Sequence, residues 1–291
     1  MRKIRIIPLL LGGLIASSLL LGGCQPKKPM QARQIPLEDF FKNPEKTRYQ
    51  ISPDGKYFSF MAPYQSRMNI FVQEIGADSA VRLTSETDRD ISGYFWKNPT
   101  RIVFLKDTGG DENWRLYGVN IDGSGLQCFT DFPKVRTEII DDLYDFPEEM
   151  IIGLNKRNPE VFDPYRLNIV TGKMEMLAEN PGNIQGWITD HDGKLRAATA
   201  IVDGVNTQIL YREKETDQFK PVLTTNFKES VAPLFFTFDN KNVYASSNLG
   251  RDKSALVVFD IANGKELEKL YEHPDFDISD VTWSHKDKAL V

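Results

Sequence analysis

The side chains able to do chemistry are sparse. The 291 residues hold two cysteines, Cys24 and Cys128, and three histidines, His191, His273 and His285. No two histidines stand at the i, i+4 spacing of a helical zinc site, and no cysteine lies close enough in sequence to complete one. Each histidine sits near a turn, flanked by Asp, Pro or Lys, so turn or surface histidines are the simpler reading. The acidic stretch Asp107-Thr108-Gly109-Gly110-Asp111-Glu112 could offer oxygens to a cation, but it lacks the distant Glu that ends a calcium loop. It reads as a solvated connection between strands. Neither a metal site nor a cofactor is expected. The nearest approach to a nucleophile elbow, Asp122-Gly123-Ser124-Gly125, lacks the Gly-x-Ser-x-Gly spacing and falls in a hairpin turn. Cys128, in Leu126-Gln127-Cys128-Phe129, reads as a half-buried strand thiol with no base beside it. No residue is assigned a catalytic role.

Cys24 is the exception, because its surroundings prescribe a modification. Met1 to Arg5 is short and basic, Ile6 to Gly23 carries no charge, and Leu21-Gly22-Gly23 places small residues directly before the thiol. That order is an n-region, an h-region and a lipobox. Residues 1–23 are therefore expected to be a lipoprotein signal peptide, with Cys24 the lipidated residue and 24–34 a polar, proline-containing tether. Two or three acyl chains hold a protein to a membrane stably. The expected location is the bacterial cell envelope, lipid-anchored and facing the periplasm or exterior. An uncleaved transmembrane helix is the alternative, weakened by Pro8, Gly12, Gly13, Gly22 and Gly23.

Charge narrows the partners. The formal charge is −5, and without Arg2, Lys3 and Arg5 it falls to −8, from 33 basic and 41 acidic residues. Such a surface disfavours nucleic acid. With 41% hydrophobic and 26% charged residues, the chain belongs to the ordinary globular class.

The elements that would position any site recur at a fixed interval. A polar turn followed by an apolar run appears at Ser52-Pro53-Asp54-Gly55-Lys56-Tyr57-Phe58, and again at Lys97-Asn98-Pro99-Thr100-Arg101-Ile102. It returns near Met150, Leu195, Asn242 and Lys288. From Tyr57 the steps are 44, 49, 45, 47 and 46 residues. An apolar strand running into a hairpin turn supplies a second landmark at Glu74, Asn120, Asn168, Glu213 and Asp260, with steps of 46, 48, 45 and 47. A strand-rich period of about 40–50 residues is the signature of propeller blades, each a four-stranded antiparallel sheet. The expected fold is all-β: a β-propeller of about five complete blades plus the first strand of a sixth, an incomplete ring over residues 35–291. One short helix, Leu37 to Lys42, precedes it. Trp96, Trp187 and Trp283 come shortly before the landmark turns, which suits packing between blades better than a ligand cage.

At these residues the sequence resembles the amino-terminal propeller of the prolyl oligopeptidase family of serine peptidases, nearest to its dipeptidyl-peptidase and acylaminoacyl-peptidase branches. The likeness rests on Ile35-Pro36-Leu37-Glu38-Asp39-Phe40-Phe41 leading to Ile51-Ser52-Pro53-Asp54-Gly55-Lys56, on Gly110-Asp111-Glu112-Asn113-Trp114-Arg115-Leu116-Tyr117, and on Gly250-Arg251-Asp252 through Glu272-His273-Pro274. It implies a propeller that screens peptide substrates for an α/β-hydrolase domain carrying Ser, Asp and His. This chain does not contain that domain and reads as a fragment. Peptides would then be partners once the hydrolase is joined. The family's dipeptidyl peptidases bind the substrate amine with paired glutamates, and Glu148-Glu149 invites that analogy, although the pair here precedes a strand rather than lying on an inserted helix. The rival expectation is a stand-alone lipoprotein propeller that binds proteins or peptides.

Overall fold

The computed structural model describes residues 32–278 and 280–291; the expected signal peptide and Cys24 lie outside them. The chain divides into two units, with the boundary after Lys42. The first contains helix α1, Leu37–Phe41. Pro36 precedes its first residue, a position that leaves no helical hydrogen bond unmade. Glu38 and Asp39 lie in its first turn, and Lys42 is already extended, which ends it.

The second unit is all-β. Strands β1 (Thr47–Ile51), β2 (Tyr57–Tyr64), β3 (Arg67–Glu74) and β4 (Val81–Arg82) form one antiparallel sheet in that order. The pattern repeats in β5 (Gly93–Asn98), β6 (Arg101–Lys106), β7 (Arg115–Asn120) and β8 (Gln127–Cys128). The third sheet is β9 (Thr137–Asp141), β10 (Glu149–Leu154), β11 (Asp163–Asn168) and β12 (Met174–Met176). The fourth is β13 (Ile184–Thr189), β14 (Leu195–Val202), β15 (Asn206–Tyr211) and β16 (Lys220–Thr225). The fifth is β17 (Val231–Phe236), β18 (Val243–Ser247), β19 (Ala255–Asp260) and β20 (Lys265–Tyr271). A final hairpin pairs β21 (Trp283–Ser284) with β22 (Ala289–Leu290).

Turn chemistry explains why the interval is kept. Between β1 and β2, Ser52 Oγ donates to Asp54 and accepts the amide of Tyr57, while Gly55 takes a positive φ of 70°. Thr237 fills the same role before β18, accepting the Asn242 amide at 3.1 Å, and Asp190 accepts the Lys194 amide before β14. One short polar side chain thus closes the turn in each of these three repeats. At the other landmark Asn168 and Asp260 cap the hairpins that lead to β12 and β20.

These positions correct one expectation. The landmark turn joins the first and second strands of a sheet, not the start of a sheet to its first strand, so Ala289–Leu290 belongs to a second strand. The first strands escaped notice because β1 shows only half-buried and exposed residues along its length, with no two-residue apolar alternation to read.

No sheet buries both faces alone, and the core lies between neighbours. Ile70 and Val72 of the first sheet meet Trp96, Ile102 and Phe104 of the second. Val103 and Leu116 meet Met150, Ile152 and Leu167 of the third, and Ile209 of the fourth meets Val243, Val257 and Phe259 of the fifth. First strands approach one another, β13 lying against both β9 and β17, so the sheets converge on their leading edges and the arrangement is propeller-like. The returns that leave the first three sheets for the first strand of the next are pinned at their start. Thr84 Oγ1 accepts the amide of Ile70 and Thr130 Oγ1 that of Leu116, while the Asn180 amide donates to buried Asp163.

Candidate functional site

The described residues that combine acid, imidazole and aromatic groups gather where first strands converge. Asp141 ends β9, and Asp142, Leu143 and Tyr144 carry the chain on toward β10. Thr189 ends β13, with Asp190 and His191 in the turn beyond it, and Trp283 and His285 come from the last hairpin. Stacking joins them: Tyr144 to His285 at 4.2 Å between centroids, Trp283 to His285 at 4.0 Å, and His191 to Trp283 edge-on at 4.9 Å. A cavity of about 300 Å³ opens beside them, with Ile140, Trp187, Ile188, Leu234 and Phe235 forming its apolar wall.

The charged groups are unequally satisfied. Asp141 accepts the Leu143 amide at 2.8 Å and the Thr189 hydroxyl. Asp190 is buried and paired with Arg196 at 3.2 Å. His191 Nε2 lies 2.9 Å from the carbonyl oxygen of Phe236. Lys97, only 5% exposed, gives its ammonium to the backbone oxygens of Asp142 and Leu143. Burial holds that ammonium down to about 8. The half-buried Asp142 carboxylate takes no side-chain donor from the described residues, and burial with Asp141 next to it pushes its proton affinity up. Unlike Asp141, it faces the cavity unpaired.

The other candidates are occupied elsewhere. His273 is remote from this cluster in a turn of its own, where Nδ1 accepts the amides of Asp275 and Phe276. Asp107 is buried and held by Arg89, and Asp111 accepts the amides of its own loop at Thr108 and Asn113. Glu149 pairs with Arg166 at 3.1 Å while Glu148 is exposed, so the two glutamates do not act together. Ser124 donates to Asp122 within its hairpin. Cys128 is the half-buried strand thiol the sequence suggested, and burial pushes its pKa up. Trp96 lies between the first two sheets with its N–H on Ser59 at 2.8 Å, and Trp187 packs on Phe219 of its own sheet while its N–H donates to the Phe162 carbonyl, just before β11 of the third sheet, at 3.3 Å. Both match the packing role.

Sequence reasoning passed over Asp141 and Asp142. Their signal was available, as paired acids in the register occupied by Trp96-Lys97 one repeat earlier, but adjacency to distant His285 was not.

No family model matches the chain. Over 240 residues it is 32% identical to dipeptidyl aminopeptidase BIII of Pseudoxanthomonas mexicana, covering 79% of this chain and 34% of that protein. The chain is related to dipeptidyl peptidases. A second relative, dipeptidyl peptidase family member 6 of Caenorhabditis elegans, is 26% identical over 277 residues, covering 88% of this chain and 37% of that one. The chain thus spans about a third of the length of the curated relatives it matches. Among solved structures, oligopeptidase B from Trypanosoma brucei in its closed form superposes with a TM-score of 0.53 at 11% identity, over 76% of this chain and 33% of that one. At that identity the likeness speaks for the fold alone: a propeller-like stack of four-stranded sheets.

Proposed function

We propose that this chain is the non-catalytic, substrate-gating propeller portion of a serine peptidase of the prolyl oligopeptidase family, acting on peptides at the bacterial envelope and held there by acyl chains on Cys24. The five four-stranded sheets are its first five blades, and β21 with β22 begins a sixth. One observation carries the reading: the 32% identity to a dipeptidyl aminopeptidase extends over 79% of the chain, far more than any one sheet, so the likeness follows the repeat from blade to blade. A resemblance confined to a single turn motif would not do so. Function then follows from the site a propeller faces rather than from the propeller itself.

The reading frame downstream of codon 291 tests the proposal. In the source genome it should run on and encode a Gly-x-Ser-x-Gly elbow within an α/β-hydrolase domain; a stop codon there overturns the peptidase reading. The anchor has its own test. Mass spectrometry of the mature amino terminus should find Cys24 carrying diacylglycerol, and an unmodified or uncleaved terminus refutes that part.

A further inference from the structure

We infer that the inner wall formed by β9, β13 and β17 binds an extended peptide of apolar side chains that carries a basic side chain at its Asp142 end. The inference rests on the reading that peptides pass this wall, and it specifies which ones.

Two features select that occupant. The first is the composition of the wall. Ile139, Ile140, Trp187, Ile188, Leu234 and Phe235 line cavities of about 440 and 300 Å³ that share Ile140 and Trp187. Leu234 is 37% exposed, and all six residues lie on first strands that have no further strand beyond them. A contiguous apolar surface on a leading edge loses free energy to water until something apolar covers it. An extended peptide presents side chains at the spacing of a strand and fits such a wall.

The second feature is charge at one end. Asp142 lines three adjoining cavities and has neither a side-chain hydrogen-bond donor nor an ion-pair partner among the described residues. The nearby Lys97 gives its ammonium to two backbone oxygens rather than to this carboxylate, so only its field reaches the acid. Trp283 and Tyr144, both stacked on His285, add aromatic rings beside the acid. Asp141, Asp145 and Asp190 line the same end, so an acidic side chain would be repelled there. A half-buried carboxylate gains most from a partner that brings its own charge.

The test uses the full chain and the intrinsic fluorescence of Trp187 and Trp283. End-blocked tetrapeptides are titrated, one with Lys followed by Leu-Phe-Leu, one with Glu in place of Lys, and one with Ser throughout. End-blocking removes the free amine, leaving the side chain as the only cation. The lysine peptide is expected to bind about tenfold more tightly than the glutamate peptide, as one charge-assisted contact provides, and the serine peptide not at all. Asp142→Asn, which keeps shape and loses charge, should erase most of that preference, and Leu234→Ser should weaken both apolar peptides alike. Equal affinity for the lysine and glutamate peptides, or a preference that survives Asp142→Asn, overturns the inference. A stop after codon 291 would defeat the peptidase reading and leave the binding result standing. Lost selectivity with a hydrolase encoded downstream would defeat only this inference.

Discussion

Two glycines with the same backbone conformation measure how tightly the fourth and fifth sheets are stacked. Gly250 and Gly264 have φ of +66° and +68°, a region that adds about 1–2 kcal/mol when the residue is not glycine. Their surroundings differ. A Cβ on Gly250 meets nothing within 4 Å, whereas one on Gly264 would overlap the carbonyl oxygen of Val222 and sit 3.0 Å from its carbon. Val222 belongs to β16 of the neighbouring sheet, so the clash is between sheets and its backbone target cannot rotate away. Overpacking of this kind adds about 1–3 kcal/mol. Gly250→Ala should therefore lose about 1 kcal/mol and Gly264→Ala about 3 kcal/mol. With a urea slope of about 3 kcal/mol per molar, the two midpoints should differ by about 0.7 M in circular dichroism. Equal midpoints would mean that the β19–β20 hairpin does not rest on β16, and the stacking argument would fail with it.

Two further outcomes follow from burial and charge. Ile152 is fully buried between the second and third sheets while Leu267 on β20 is 52% exposed. Ile152→Ala should cost about 3 kcal/mol and Leu267→Ala under about 0.5 kcal/mol, and similar losses in urea unfolding would deny the inter-sheet core. Lys97 binds its proton less tightly folded than unfolded, about 8 against 10.5, so between those pH values the unfolded chain holds more protons and stability rises with pH. Relative to Lys97→Met, the parent should gain stability from pH 8 to pH 10, read as a growing midpoint difference, and a gap that shrinks would contradict the burial of that ammonium.

The periodic part of this fold was legible because turns are local. Ser52, Asp190 and Thr237 write their hydrogen bonds to residues at most five positions away, and local chemistry of that sort survives in a sequence. The same holds for Trp96 and Trp187, whose bulk recurs at one register. What was not legible depended on neighbours across the structure. β4 and β8 are two residues each, too short for any alternation, and the first strand β1 has no buried residue to mark one. The cavity beside β9 and β13 joins Asp142 to Trp283 and His285 through packing of separate sheets, and nothing along the chain announces that meeting. Glu148-Glu149 shows the opposite error: two acids adjacent in sequence look like a site, yet Arg166 holds only the second.

The pinned returns from last strand to first strand carry a consequence for engineering. They are the covalent links between successive sheets, and Thr84, Thr130 and Asn180 fasten the first three at their origin to the sheet each one leaves. A break made just beyond such a fastening leaves every four-stranded unit whole, since no ladder is severed. New termini, or a reporter spliced into the chain, are best introduced there, where the modules would remain assembled through their faces alone.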